Sequence, residues 1–335
     1  MNKETDKYRA MSNVIGIGVL GSLARGDIWE CSDLDLVVLF EKAENDFSLE
    51  FDDQKGIPID VMCITTKYLK DQPYVSSLYG CRVMYDPENV LSTEVNKTNA
   101  IHFSDKEICK RNQGHIDKAE KFLEKAYFSS REGDFPSTVE HSRQAVLHSG
   151  MIAVEKSHTV MSHHRRIDKY QSSFQALGRQ DMFERFLEAL RLSKVDEKTS
   201  RVYERLARRL FESGYPWIHK KLDEKSAPLW MSWTNKIQLY SVLNWRILPI
   251  YKTADHHADF IDKVTDEYEE FAKAIFEVNN QRYEHVTLVF RELMKLREKP
   301  LHFSRLFLEA LRAHNLTHDK TERILSKSAD FVERI

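Results

Sequence analysis

Gly18-Val-Leu-Gly-Ser-Leu-Ala-Arg-Gly-Asp-Ile-Trp-Glu-Cys-Ser-Asp-Leu-Asp35 is the stretch on which the reading of this chain turns. It closes one apolar run, Val14–Leu20, at Gly21-Ser22, which reads as a buried strand entering a turn. It opens a second, Leu34–Phe40, again of strand length and rich in β-branched residues. Asp33 and Asp35 stand two apart at the start of that second run, so their side chains leave on the same face. Two carboxylates side by side repel each other unless a cation sits between them, and hard oxygen ligands suit Mg²⁺ or Mn²⁺. A strand turning through Gly21-Ser22 into a short helix is a ready cradle for a triphosphate tail. Arg25 could neutralise phosphate charge there, and Gly26 allows close backbone approach.

Working outward, Ile57–Ile64 reads as a third strand after a polar connector rich in Asp, Glu and Asn. Ile57, Ile59, Val61 and Cys63 share one face, and Pro58, Asp60 and Met62 the other. Asp60 thus faces away from the Ile/Val stripe and could join Asp33 and Asp35 as a third carboxylate. Three aspartates on neighbouring strands can hold two metals about 3.5–4 Å apart, the arrangement for in-line displacement at phosphorus. The polar stretch Thr65–Tyr79 reads as helical, and Arg82–Tyr85 as a fourth, shorter strand.

The chain as a whole has 335 residues, 41% hydrophobic and 30% charged. That excludes disordered and low-complexity classes and fits two domains. Eleven glycines and eight prolines are few for this length and favour helix. No apolar run approaches the ~18 residues a membrane span needs. The start of the chain is too polar for a signal-peptide core, and a cytoplasmic location is expected. Cys31, Cys63, Cys81 and Cys109 form no CxxC pair, against both a zinc site and a disulfide framework. Residues 1–105 carry 10 Lys+Arg against 18 Asp+Glu, and residues 106–335 carry 40 against 34, so the two parts have net charges of −8 and +6.

From residue 106 the texture turns helical. Ile116, Ala119, Leu123 and Ala126 recur at helical steps. Gly133-Asp134-Phe135-Pro136 reads as a break, with Ser137 or Thr138 capping a second helix to about 158. Helical patterns follow at 180–193, 198–213, 230–249, 258–279, 281–298, 302–314 and 319–334. The expected architecture is α+β: a small mixed sheet with flanking helices over residues 1–105, then an all-helical region over 106–335. The latter could form two bundles, 106–215 and 216–335.

Gly-Ser, ten residues, then Asp-x-Asp, with Arg25-Gly26 inside and Ser32 before the first Asp, resembles the DNA polymerase β-type nucleotidyltransferase superfamily. More narrowly it is similar to the minimal and antibiotic nucleotidyltransferase branch. Seven positions of fixed residue type at fixed spacing arise by chance on the order of 10⁻⁵ or less in such a chain. The plain alternative is a surface turn followed by an edge strand with solvated aspartates. The likeness covers roughly residues 12–90, with only about a dozen residues before the first strand where the superfamily commonly has a leading helix. It implies that Gly21 and Ser22 hold the phosphates of ATP or another nucleoside triphosphate. Asp33 and Asp35 would hold metal, and Asp60 would complete the site or help deprotonate the acceptor.

The expected reaction is transfer of a nucleoside monophosphate, AMP from ATP, to a hydroxyl of a small-molecule acceptor such as an antibiotic, with release of pyrophosphate. Two alternatives stand beside it: an antitoxin-like AMP transferase acting on protein or RNA, and a non-catalytic nucleotide-binding regulator. The resemblance to aminoglycoside-modifying members makes Glu140, at the start of the second helix, a candidate general base. As an ordinary acid near a helix start it needs no such role. Arg143 and His148 resemble the Arg-x4-His ribonuclease motif of helical domains that partner minimal nucleotidyltransferases, but five residues on a helix set their side chains about 140° apart. His163-His164, Arg165-Arg166 and His256-His257 read as polar helix ends or loops. Trp217, Trp230, Trp233 and Trp245 read as aromatic core.

Overall fold

The computed structural model describes residues 2–28, 32–54, 57–72, 74–133, 135–161, 166–190 and 317–335. The expected helices between 198 and 314, the tryptophans from 217 to 245, His163, His164, Arg165 and the His256-His257 group lie outside the described residues. The chain divides into two compact units, Met1–Ile108 and Cys109–Ile335.

The first unit is a five-stranded mixed sheet. Its strands are β1 (Val14–Val19), β2 (Leu34–Phe40), β3 (Phe47–Gln54), β4 (Ile57–Thr65) and β5 (Arg82–Tyr85), in the order β3-β4-β2-β1-β5. β2 and β4 run parallel, and the other pairings are antiparallel. The run Leu36-Val-Val-Leu39 is wholly buried because both faces of the sheet are covered, as a near-continuous apolar strand requires. On one face Leu36, Val38, Ile59 and Val61 pack with Tyr8 of helix α1 (Asn2–Arg9). On the other, Val37, Leu39, Met62 and Ile64 pack with Leu69 of α3 (Thr66–Asp71), Leu91 and Val95 of α4 (Val90–Ile101), and the segment around Leu78. Below Asp60, therefore, the face opposite the Ile/Val stripe is core.

Two expectations change. The polar connector before β4 contains a strand: β3 pairs with β4 from Phe47↔Ile64 to Gln54↔Ile57. A ladder draws on backbone groups alone, and β3 has a paired neighbour on one side only among the described residues, so its polar positions need not be core-like. Leu49 is 64% exposed. The helix expected over 65–79 is shorter. Thr65 caps α3 (Thr66–Asp71) by accepting from the Tyr68 N–H at 3.1 Å. Gln72 is already extended, as the residue before Pro73 prefers. A 3₁₀ turn follows at Ser76–Leu78, and after β5 comes α4 (Val90–Ile101), whose first turn is capped by Asp86.

The second unit is helical throughout its described residues. α5 (Asp105–Arg131) is followed by α6 (Phe135–Lys156), α7 (Arg166–Ala176), α8 (Gln180–Ala189) and α9 (His318–Arg334), and the last four share a core around Val146, Phe174, Phe186 and Phe331. α6 starts at Phe135 rather than after a cap at Ser137 or Thr138, because proline is tolerated in a first turn, where its missing N–H has no partner to lose. α7 was not anticipated. Its apolar face is carried by Ile167, Tyr170 and Phe174, diluted by the polar residues among them. Ala119 and Ala126 face the interior as the spacing suggests, whereas Ile116 is 36% exposed.

Candidate active site

The carboxylates gather where β2 and β4 begin. Asp35 is the second residue of β2 and sits directly beside Asp60 in the parallel register, while Asp33 lies two residues upstream on the same side. One carboxylate oxygen from each of Asp33, Asp35 and Asp60 lies within 4.8 Å of the others, and all three side chains are half-buried. That separation admits a cation as shared partner, and an all-carboxylate donor set matches Mg²⁺ or Mn²⁺ rather than a softer ion.

The Gly-Ser turn is fastened to this spot. The Leu20 N–H donates to the Asp35 carbonyl at 2.8 Å, tying the end of β1 to the start of β2. Gly21 then turns with φ +63°, and a Cβ at that position would stand 1.9 Å from Oδ2 of Asp35. Only glycine satisfies both the left-handed backbone and that approach. Ser22 follows, 8% exposed, its buried Oγ without a hydrogen-bond partner. A buried hydroxyl with unused capacity beside a carboxylate cluster suits a ligand that brings its own polar atoms. The residues present therefore fit a divalent cation with a phosphate group.

Arg25 ends the five-residue helix α2 (Gly21–Arg25). It is exposed, but its stem is held: a Cβ on Gly80, where φ is +70°, would come 3.2 Å from Cγ of Arg25. Gly80 had no place in the motif; its one sequence signal is a glycine just ahead of a strand pattern. Cys81, next to it, offers no thiolate, since burial pushes its thiol up to about 12.

The structure thus brings together Asp33, Asp35, Asp60, Gly21 and Ser22, with Arg25 one helical turn away. Glu140 belongs to the second unit, in the second turn of α6, and its side chain lies outside the described residues. Arg143 and His148 are also on α6. Arg143 is buried, whereas His148 is engaged with α5: its Nδ1 lies 3.3 Å from Nδ1 of His115, and its ring stacks on Phe122 with centroids 5.6 Å apart.

Comparison with curated proteins returned no match. Among solved structures the chain is similar to a nucleotidyltransferase-like protein from Exiguobacterium sibiricum 255-15. The two share 9% identity, with a TM-score of 0.37 over 94% of this chain and 87% of that one. No helix among the described residues is long and apolar enough to cross a membrane. Residues 4–85, which span α1 and the whole sheet, match the family model of the nucleotidyltransferase domain. The first unit of this chain is built on a nucleotidyltransferase domain, and the enzyme class it supports is that of a transferase.

Proposed function

We propose that the protein transfers the nucleoside monophosphate of a nucleoside triphosphate, AMP from ATP, to a hydroxyl of a small-molecule acceptor. The acceptor oxygen bonds to the α-phosphorus, the bond from that phosphorus to the bridging oxygen breaks, and pyrophosphate leaves with the electron pair. The observation carrying this reading is the convergence of Asp33, Asp35 and Asp60 beside the Gly21 turn and the unpartnered Ser22 hydroxyl. Asp33, Asp35 and Asp60 would hold Mg²⁺ or Mn²⁺, which when bound supplies charge neutralisation at the α-phosphate and acidity for the attacking hydroxyl. The chain's own residues position. Gly21 gives the phosphates a path close to Asp35, Ser22 offers its hydroxyl to a phosphate oxygen, and Arg25 adds positive charge at the far end of α2. Glu140 is the proposed assisting base.

The test is incubation of the full chain with α-³²P-labelled ATP, Mg²⁺ and an extract of metabolites, RNA and protein, with Asp33→Ala as control. Label should move to a low-mass product in wild type only. Label on protein or RNA would replace the small acceptor with a macromolecule. Equal transfer by Asp33→Ala would sink the assignment of the site.

A further inference from the structure

The carboxylates occupy one end of the sheet, on the face that continues through Val37 and Met62. At that same end β1 gives way to the Gly21 turn and β5 begins, since Val19 pairs with Leu36 on one side and with Arg82 on the other. The segment leading into β5 covers the carboxylate face: Val75, Leu78 and Cys81 are buried in the same apolar cluster as Val37 and Met62. Strands lie about 4.8 Å apart, so the start of β5, two strands from Asp35, stands roughly 10 Å from it across the end of β1.

Four rings gather on this rim. Tyr79 stacks on His102 with centroids 3.9 Å apart and planes 15° from parallel. Phe103 meets both rings edge-on, at 5.3 Å and 4.6 Å, and the Tyr74 hydroxyl is hydrogen-bonded to Nδ1 of His102. All four are half-buried, unlike Leu78 beside them, which is wholly buried. The turn that presents Tyr79 is fixed: the Gly80 N–H donates to Oδ1 of Asn99 at 2.9 Å, and the left-handed Gly80 backbone receives the stem of Arg25. α2 therefore runs from the carboxylates and the unpartnered Ser22 hydroxyl to Arg25, whose stem meets the turn that carries Tyr79, so this end of the unit offers both a place for charge and an aromatic surface.

A nucleoside triphosphate needs both, because its tail is anionic and its base is a flat ring system with little net charge. We propose that Tyr79, backed by His102 and Phe103, is the wall on which the base of the donor nucleotide stacks. The inference rests on the nucleotidyl-transfer reading above and adds its base-recognition side. Stacking tolerates any base but gains with ring area, so purine triphosphates bind tighter than pyrimidine ones.

The test is calorimetric binding to the full chain, with Mg²⁺, of ATP, CTP and inorganic tripolyphosphate. It compares wild type, Tyr79→Phe, Tyr79→Leu and Tyr79→Ala, each checked for unchanged circular dichroism. Wild type should bind ATP tighter than CTP, and CTP tighter than tripolyphosphate. Tyr79→Ala should weaken ATP binding about tenfold, Tyr79→Leu by several-fold and Tyr79→Phe by less than twofold, with tripolyphosphate affinity constant throughout. Equal losses for ATP and tripolyphosphate, or none for either, overturn the stacking wall. If alanine and leucine both unfold the chain, wild type binding ATP no tighter than tripolyphosphate overturns it alone. Asp33→Ala separates the two readings. Its failure to weaken metal-dependent binding of tripolyphosphate overturns the nucleotidyl site, whatever Tyr79 does.

Discussion

Each unit has a polar cluster, and the two are built in opposite ways. At the head of β2 and β4, three carboxylates of one sign share a space within 4.8 Å, next to a serine hydroxyl that makes no hydrogen bond. Between α5 and α6 the groups close on one another. Arg111 donates to Oε2 of Glu155 from Nε at 2.9 Å and Nη2 at 2.7 Å, and His115 meets His148. Burial, followed by the charge of Lys118 at His115 and by His115 itself at His148, pushes both down to about 4. Both imidazoles are therefore neutral near pH 7. The helical cluster contributes to its own unit's stability. The carboxylate cluster gathers charge of one sign at one spot, an arrangement that favours a cation there and marks a candidate binding site.

The strongest way to break this contrast is to delete one acid from each cluster. Asp33→Ala or Asp35→Ala should lower nucleotidyl transfer at least about 10³-fold, ~4 kcal/mol of transition-state stabilisation. The melting temperature should hold or rise, because like-charge repulsion is relieved; a clear fall would make the aspartates structural. Glu155→Ala should do the reverse and cost about 3 kcal/mol, read from urea unfolding, because it takes a two-bonded carboxylate from the largely buried Arg111 guanidinium.

Acidification sharpens the comparison. Both histidines have folded values near 4 against an unfolded value of about 6.5. Their contribution is complete above about 6.5 and is lost as pH falls toward 4, on the order of 2 kcal/mol by pH 5. Thermal melts of wild type between pH 7 and pH 5 should show the loss, and His148→Gln should flatten it. An equal slope in both would clear the pair. The smallest effect is metal-linked. Mg²⁺ at ten times its dissociation constant should stabilise wild type by about 1.4 kcal/mol, Asp35→Ala by almost none and Glu155→Ala by the wild-type amount.

Legibility followed the reach of the physics. The runs that became β1, β2 and β4 could be read because a strand buried on both faces must be apolar throughout. The geometry of the candidate site could be read because Gly21, Ser22, Asp33 and Asp35 are related at short sequence range: a turn, then two positions at the head of one strand. Asp60 was reachable through strand periodicity. β3 was missed because its pairing with β4 is made by backbone groups, to which its acidic side chains give no clue. α7 was missed because a helix can be held by three contacts, here Ile167, Tyr170 and Phe174, too few to stand out in a polar stretch.

By itself the sequence determined that two apolar strands flank a Gly-Ser turn and a pair of aspartates, and that the remainder of the chain is of another texture. Tertiary structure alone decided that Asp60 lies level with Asp35, that Gly21 has no room for a Cβ against it, that Gly80 meets the stem of Arg25, and that Tyr79 stacks on His102. Periodicity records which side of a strand a residue faces. It carries nothing about the register between strands, or about which distant turn arrives at the same edge, because those depend on the packing of the whole unit.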